Sequence, residues 1–229
     1  MAKETIYTIP INEAFEKNSE CPLCEIERRL EREAVEYALG PAMMEPDHRE
    51  LSNKKGYCNK HYSMLFQAEN KLPLALVLDT HLEEMRRLVS QMKNPEKKGL
   101  FKKSDENLPL SESVASCMVC EKINTTMERY IKNLIDMWQD DEDFRQKLNN
   151  SKGFCLPHFM RLYQSTGNTA FKKALAEKQE TELSRIQDDI HKFTLKFDYR
   201  NRDMEWGTAK DAPIRTTEKI GGYITDKQQ

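Results

Sequence analysis

The chain has few glycines and no long apolar run, and both shortages narrow the fold class. Only eight of its 229 residues are glycine, which is too few for a β protein with many tight turns. The longest apolar stretch, residues 72–78, is far shorter than the roughly 20 residues that a membrane-spanning helix needs. Charged residues make up 32% of the chain and apolar residues 38%, a mixture typical of helices with solvated outer faces. We therefore expect an all-α protein with no membrane partner.

An excess of positive charge and an export signal are also missing. The formal net charge is -2, whereas non-specific binding of nucleic acid requires a strongly basic surface. The first residues, Met-Ala-Lys-Glu-Thr-Ile-Tyr, contain no apolar region of the kind found in signal peptides. We therefore expect a cytoplasmic protein that does not bind nucleic acid. In that reducing compartment, paired cysteines are more often metal ligands than structural disulfides.

What the chain does contain is six cysteines in a pattern that occurs twice. Each half has a Cys-x-x-Cys motif followed by a Gly-aromatic-Cys-x-x-His motif, and no cysteine is left over. The intervals from Cys24 to Cys58 and from Cys120 to Cys155 are 33 and 34 residues long. Three thiolates and one imidazole form a tetrahedral set of ligands for a borderline-soft ion such as zinc. The pattern therefore predicts two metal sites, one in each half.

The predicted ligands divide by position in the chain. The N-terminal site is expected to consist of Cys21, Cys24, Cys58 and His61. The C-terminal site is expected to consist of Cys117, Cys120, Cys155 and His158. Because four protein ligands leave no open position, both sites are expected to be structural, and two zinc ions are expected in each chain.

Other chemistry remains compatible with these residues. The same ligand set does not exclude an iron–sulfur cluster. A thiol–disulfide function would need a βαβ context, and the sequence shows no strands. A Cys–His nucleophilic pair would also need an orienting group and an oxyanion hole, and neither is recognisable. We therefore predict no catalytic residues and no other cofactor, and we leave open whether the protein is an enzyme.

The two halves resemble each other beyond the ligands. Residues 55–66 and 152–163 share lysine, glycine, cysteine, histidine, leucine and three aromatic positions in register. An internal duplication explains this agreement, and it predicts two helical repeats related by an approximate twofold axis. Repeats at residues 1–93 and 113–195 are expected, with a linker at 94–112 between them. The remaining residues, 196–229, are expected to form an extended tail that packs on the repeats.

Local patterns place the motifs on helices. Apolar residues follow each Cys-x-x-Cys motif with helical spacing, and the first of these helices should end near Gly40. A helix is expected to begin at each Cys-x-x-His motif, and Pro157 is compatible with a first turn. Longer helices are expected at about residues 73–92 and 169–193. The acidic run at residues 140–143 is interpreted as a solvated helix start.

Several further residues could act in binding. The tail contains a polar and aromatic cluster that either packs on the repeats or forms a ligand site: Arg200, Arg202, Trp206, Lys210, Asp211 and Arg215. Three histidines lie outside the motifs and are interpreted as ordinary helix residues: His48, His81 and His191.

The order of motifs resembles a known family. The segments concerned are CPLC, ALGPAMMEPD, GYCNKHY, LDTHLEE, CMVC, MERY, GFCLPHF and KFDYRNRDMEWGTAKDAPIR. Together they resemble bacterial proteins, mostly from Firmicutes, that form domain-of-unknown-function family 6062. The resemblance covers nearly the whole chain and implies a cytoplasmic bacterial protein, but it implies no activity.

The function predicted from the sequence is a zinc-stabilised helical scaffold that binds another molecule. The partner is an unidentified protein or small molecule, and the oligomeric state is left open. The alternative is a redox or sensing protein that uses iron–sulfur or reactive-thiolate chemistry at the Cys₃His sites.

Overall fold

The computed structural model describes residues 7–69, 71–93, 109–201 and 203–224. No β-strand occurs in these residues, so the expected all-α fold is confirmed. The α-helices of the N-terminal part are α1 Ile9–Glu16, α2 Pro22–Leu39, α3 Pro46–Lys55, α4 Asn59–Gln67 and α5 Lys71–Gln91. Those that follow are α6 Pro109–Ala115, α7 Met118–Asp140, α8 Glu142–Asn150, α9 Leu156–Gln164, α10 Thr169–Leu195 and α11 Ala212–Gly221. Short 3₁₀ helices occur at Pro41–Met44, Tyr199–Asn201 and Gly207–Asp211.

The chain forms two compact units that do not coincide with the two halves of the sequence. Unit 1 combines Met1–Arg29 with Met127–Gln229, and unit 2 is the continuous segment Leu30–Thr126. The boundaries fall inside helices α2 and α7. Each unit therefore contains residues from both halves of the sequence.

Unit 1 is built around aromatic side chains. Phe144, Phe154 and Phe171 are almost completely buried. The ring of Phe15 meets that of Phe144 edge to face at 5.1 Å, and Trp138 meets Phe171 in the same way at 5.1 Å. Helix α10 packs on α9 and α11 in this unit.

Unit 2 has a smaller, largely aliphatic core. Leu65, Leu74, Val77 and Leu88 are buried there. Helix α5 packs on α3, α4 and α6, so the helix of the Cys-x-x-His motif is held against a long neighbour.

The helices predicted from local patterns are present. Helix α2 ends at Leu39 as the glycine predicts, and the helices expected at 73–92 and 169–193 correspond to α5 and α10. Asp141 precedes α8, and its side chain accepts a hydrogen bond from the backbone N–H of Asp143. This bond confirms the acidic run as a helix start. Helices α2–α5 and α7–α10 follow in the same order around the motifs, while the internal twofold remains a prediction.

The tail differs from the expectation, whereas the linker stays a prediction. The linker at 94–112 lies mostly outside the described residues, and its last part belongs to α6. In place of an extended tail, the structure has two 3₁₀ helices and then α11, which has a proline in its first turn. No apolar periodicity revealed α11, because part of its packing depends on the polar side chain of Lys219, which is fully buried.

Within the part of the chain that the structure describes, no helix has both the length and the apolar character needed to cross a membrane.

Candidate metal centres

Each Cys-x-x-Cys motif lies at the start of a long helix. Cys21 immediately precedes α2, and its carbonyl accepts the backbone N–H of Cys24 at 3.1 Å. Cys117 precedes α7, and its carbonyl accepts the N–H of Glu121 at 3.0 Å. Both sulfurs of each motif are thus held at the positive end of a helix, whose dipole favours thiolate. Contacts with neighbouring thiols and burial oppose this effect and raise the pKa of Cys24 and Cys120.

Each Cys-x-x-His motif begins a shorter helix. Cys58 and Cys155 are the N-cap residues of α4 and α9, and their carbonyls accept the first helical hydrogen bonds at 2.9 and 2.8 Å. The preceding glycines, Gly56 and Gly153, have φ angles of 60° and 69°. Because other residues rarely adopt this left-handed backbone, glycine is needed for the tight turn before the ligand. A helical turn then brings the histidine beside the cysteine.

The structure brings the eight predicted residues together as two groups of four, but in a different combination from the one predicted. Centre 1 consists of Cys21, Cys24, Cys155 and His158, and all four are buried. Centre 2 consists of Cys58, His61, Cys117 and Cys120. The expectation that each half closes its own site is therefore wrong: every group combines the Cys-x-x-Cys motif of one half with the Cys-x-x-His motif of the other.

The ligand atoms of both centres are closely spaced around the histidine Nδ1 atoms. In centre 1, Nδ1 of His158 lies 3.5 Å from Sγ of Cys21, 3.4 Å from that of Cys24 and 3.2 Å from that of Cys155. The sulfurs of Cys24 and Cys155 are 3.5 Å apart. This arrangement is already compact enough to enclose a single ion.

Centre 2 has nearly the same spacing. Nδ1 of His61 lies 3.2 Å from the sulfurs of Cys58 and Cys117 and 3.4 Å from that of Cys120. The sulfurs of Cys58 and Cys120 are 3.9 Å apart. Each group of four could hold a metal ion, since all its ligand atoms lie within 4.8 Å of one another.

These spacings match a single tetrahedral ion. Around one zinc, bond lengths of about 2.3 Å to sulfur and about 2.0–2.1 Å to nitrogen place neighbouring ligand atoms about 3.5–3.8 Å apart. A four-iron cluster binds each ligand through a different iron, so its ligand atoms must stand farther apart. The geometry of both centres therefore fits a mononuclear ion better than a cluster.

Carboxylates orient both histidines, and both carboxylates belong to α2. Nε2 of His61 lies 2.9 Å from Glu31, which is buried and also forms an ion pair with Lys60 at 2.5 Å. Nε2 of His158 lies 3.5 Å from Glu27. Such contacts fix the ring of a metal-bound histidine and leave Nδ1 for the ion. Glu27 and Glu31 were not predicted from the sequence. Their i, i+4 spacing just after Cys24 is the available signal, but it is common on any helix.

Hydrogen bonds within each centre couple the protonation of the imidazole to that of the thiols. Burial lowers the pKa of His61, but its hydrogen bonds with Cys117 and Glu31 outweigh burial and raise the pKa to about 10. Burial likewise opposes the hydrogen bonds of His158 with Cys155 and Cys21, which raise its pKa to about 10. Burial would raise the pKa of Cys117, yet the bond with His61 brings it down to about 6. Uptake of a metal must therefore displace protons.

The backbone turns around the centres are tied to neighbouring elements. In centre 2, the N–H of Met118 donates to the carbonyl of Gly56 at 3.1 Å, and the hydroxyl of Ser116 donates to the carbonyl of Lys55 at 2.8 Å. In centre 1, the amide of buried Gln179 donates to the carbonyl of Phe154 at 2.9 Å. These bonds hold the ligand-bearing turns in place before any ion binds.

The C-terminal segment covers centre 1. The ammonium of Lys219 is fully buried and donates to the carbonyls of Glu20 and Lys152, each at 2.6 Å. It also lies 3.2 Å from the carboxylate of Glu20. A methyl group placed on Gly222 would lie 4.0 Å from the sulfurs of Cys24 and Cys155. The end of α11 therefore shields this centre from solvent.

The cluster that the sequence analysis noted in the tail is divided in the structure. Arg215 forms ion pairs with Asp189 at 3.0 Å and with Asp211 at 2.8 Å, so packing accounts for these residues. The ring of Trp206 lies 5.5 Å from that of Phe193. Lys210 is exposed, Arg200 pairs with Asp198 at 2.6 Å, and Arg202 lies outside the described residues.

The histidines outside the motifs have ordinary packing roles. Nδ1 of His81 lies 2.8 Å from the carbonyl of Asn53, and its ring borders Gly56 so closely that a side chain there would meet Nε2 at 2.6 Å. The ring of His48 meets that of Tyr37 edge to face at 5.4 Å. Neither histidine belongs to a centre.

Comparison with known proteins identifies a family but no relative of known activity. A family model described as "Family of unknown function (DUF6062)" matches residues 2–227. No curated protein and no solved structure matches the chain. The sequence resemblance to this family is therefore confirmed.

Proposed function

We propose, for a chain that belongs to the family of unknown function DUF6062, that it is a zinc-binding helical scaffold with two structural metal centres. The observation that carries this proposal is the assembly of all six cysteines and two histidines into two four-ligand groups. A centre with four protein ligands has no position left for substrate or water. The two ions therefore act on folding rather than on a reaction.

Zinc is the ion that suits these ligands best. It has no geometric preference of its own, and it forms tetrahedral complexes with thiolate and imidazole. Three thiolates and one neutral imidazole give a zinc centre a net charge of about -1. The buried ammonium of Lys219 lies close to centre 1, because it donates to the carbonyl of Glu20, the neighbour of Cys21, and its positive charge moderates this excess.

Metal binding at these centres would stabilise the fold by joining distant parts of the chain. Centre 1 connects Cys24 with Cys155, which are 131 positions apart. Centre 2 connects Cys58 with Cys120, 62 positions apart. Closing such long loops has a large entropic cost, and metal binding offsets it in the folded state. We therefore propose that each ion is required for its own unit.

An interaction role for the scaffold is supported by α5. Leu78, Leu82 and Val89, which share one face of this helix, are 40%, 61% and 49% exposed. Large apolar side chains that remain exposed together are characteristic of surfaces that bind a partner. We propose a protein or small-molecule partner, of a chemical class that these side chains do not specify.

The test of the zinc proposal is metal analysis followed by chelation. Protein purified anaerobically without added metal is expected to contain two zinc ions per chain, as the two groups of four predict. Removal of both ions with a strong chelator should reduce the helical circular dichroism and should be reversed by adding zinc. Unchanged circular dichroism after verified loss of metal would contradict a structural role.

The alternative function, redox sensing, is supported by one difference between the centres. Cys58 and Cys120 are partly exposed, whereas the cysteines of centre 1 are buried. An iron–sulfur version predicts a brown protein with absorbance near ~400 nm after anaerobic purification. A colourless protein that contains zinc excludes the iron–sulfur version and leaves the thiolate version open.

We also propose a bacterial, cytoplasmic protein. Cys-x-x-Cys and Cys-x-x-His motifs that serve as metal ligands are typical of a reducing compartment. Location of a tagged chain in fractionated cells would test this assignment.

A further inference from the structure

Centre 2 leaves two of its thiolates within reach of solvent. Cys58 and Cys120 are partly exposed, while Cys117 is 5% exposed and His61 is 2% exposed. These two partly exposed cysteines lie at the starts of different helices, α4 and α7, and their sulfurs are 3.9 Å apart. Formation of a bond of about 2.05 Å between them requires an approach of only about 2 Å.

Centre 1 contains a closer pair of sulfurs that is less accessible. Sγ of Cys24 and Sγ of Cys155 are 3.5 Å apart, but these residues are only 5% and 0% exposed. Gly222 lies over both sulfurs. A cavity of about 190 Å³ borders Cys21 and Cys24, yet Cys21 is only 4% exposed. Proximity alone would thus favour oxidation at centre 1, and accessibility favours centre 2.

We propose that centre 2 is an oxidation site at which peroxide converts Cys58 and Cys120 to a disulfide and releases the metal. This inference rests on the proposed zinc occupancy and assigns centre 2 a regulatory role. Centre 1 keeps its ion under the same conditions and preserves unit 1.

The reaction balances with hydrogen peroxide as the two-electron oxidant. One thiolate attacks a peroxide oxygen, the O–O bond breaks, and a sulfenic acid and a hydroxide ion form. The second thiolate then attacks the sulfenic sulfur, the S–S bond forms, the S–O bond breaks, and a second hydroxide leaves. Two thiolates are oxidised and one peroxide is reduced. His61 and Cys117 remain as two ligands, too few to retain zinc.

The experiment uses the full-length chain with two zinc ions, verified by elemental analysis before oxidant is added. Hydrogen peroxide is added in small excess, and zinc release is followed with a chromophoric chelator. We expect release of one zinc per chain, at a rate about tenfold or more above that of the second. Mass spectrometry of proteolytic fragments should find Cys58 bonded to Cys120. A dithiol reductant and zinc should restore the starting state.

Several outcomes would overturn the proposal. These are simultaneous release of both ions, release from centre 1 first, a Cys117–Cys120 disulfide, or zinc loss with sulfinic acid and no disulfide. A chain that contains no zinc before oxidation would instead refute the proposed function, so the two failures are distinguishable.

Variants that keep four ligands separate sulfur chemistry from metal loss. Cys58→His retains a Cys₂His₂ set at centre 2 and should slow peroxide-driven release of that zinc about tenfold. The matched variant Cys24→His in centre 1 should leave the fast release unchanged. Truncation after Gly221 removes the cover over centre 1, and both ions should then be released by peroxide. If Cys58→His is oxidised as fast as the original chain, the assignment to Cys58 is wrong.

Discussion

The two centres have the same ligands but different surroundings. Centre 1 has four buried ligands and lies beneath the C-terminal segment. In centre 2, Cys58 and Cys120 are partly exposed. Identical ligands in one chain thus have different access to solvent, and accessibility controls the reactivity of a thiolate. We infer that the C-terminal tail protects the ion of centre 1, whereas the ion of centre 2 can exchange.

The two centres also differ in the hydrogen bonds that connect their ligand-bearing turns. In centre 2, the hydroxyl of Ser116 donates directly to the carbonyl of Lys55. In centre 1, the equivalent positions are Glu20 and Lys152, and the ammonium of Lys219 binds both carbonyls. In centre 1, the side chain of Lys219, which lies outside both motifs, thus takes the place of the direct hydrogen bond that connects the two turns in centre 2. This replacement makes centre 1 dependent on α11.

A third difference lies in the carboxylates. Glu27 and Glu31 on α2 contact the histidines of both centres. The equivalent positions of α7, with the offset of 96 residues between the motifs, are Ile123 and Met127, which cannot accept a hydrogen bond from imidazole. Similarity between the halves therefore extends to the ligands but not to the residues that orient them.

Ligand removal should give the largest difference between the centres. Cys155→Ser is expected to lose one zinc and to destabilise unit 1 by about 3–5 kcal/mol, because the fully buried sulfur is also part of a packed core. Cys58→Ser should also lose one zinc but should be less destabilising, since its site is partly exposed. Elemental analysis gives the metal content, and urea unfolding followed by circular dichroism gives the stability.

Hydrogen exchange should show which unit loses stability in each of these two variants. Loss of protection should concentrate in α9 and α10 for Cys155→Ser, and in α4 and α5 for Cys58→Ser. Equal loss throughout the chain in both variants would show that the centres do not stabilise separate units.

Removal of the buried ammonium should affect centre 1 alone. Lys219→Met leaves the carbonyls of Glu20 and Lys152 without their donor, and a loss of about 3 kcal/mol is expected from a broken buried ion pair. Thiol-reactive reagents should then modify Cys24 or Cys155 faster, with no change at Cys58. Lys210→Met, at an exposed position nearby, is the control. Unchanged reactivity of centre 1 would mean that the tail does not shield it.

The orienting carboxylates should have a smaller effect, on metal affinity. Glu31→Gln is expected to weaken zinc binding at centre 2 about 10- to 100-fold, since it weakens the contact that fixes His61. Glu27→Gln should weaken centre 1 less, because its contact with His158 is longer, at 3.5 Å. Competition with a chelator of known affinity measures both. Glu36→Gln, on the exposed face of the same helix, should have no effect.

The smallest expected effect is on thermal stability and comes from the charge of Glu218. Burial raises the pKa of Glu218, the charges of Glu20 and Glu25 add to this rise, and Arg28 opposes it. Because the folded pKa lies above the unfolded value of 4.5, this carboxyl contributes stability below pH 4.5 and loses it as the pH rises through the folded pKa. Glu218→Gln should therefore raise the thermal midpoint at neutral pH by about 1–3 °C. The gain should vanish in acid. A lower midpoint at neutral pH would contradict this assignment.

Most local structure was predictable from the sequence. The end of α2, the helix starts at Cys58 and Cys155 and the identity of the eight ligands follow from proline, glycine and cysteine positions, because these residues act through their immediate neighbours. The carboxylates on α2 were not predictable, since a glutamate that contacts a histidine 30 or more residues away has no local signature. Helix α11 was missed because Lys219 lacks the apolar character of a core residue.

By itself, the sequence determined which side chains form the centres, since only these cysteines and histidines have the spacing that presents two ligands from one helix start. Tertiary structure alone decided which motif joins which. Each compact unit combines residues from both halves of the sequence, so every Cys-x-x-Cys motif meets the Cys-x-x-His motif of the opposite half. Tertiary structure also decided whether a centre is shielded from solvent, because α11 packs over centre 1.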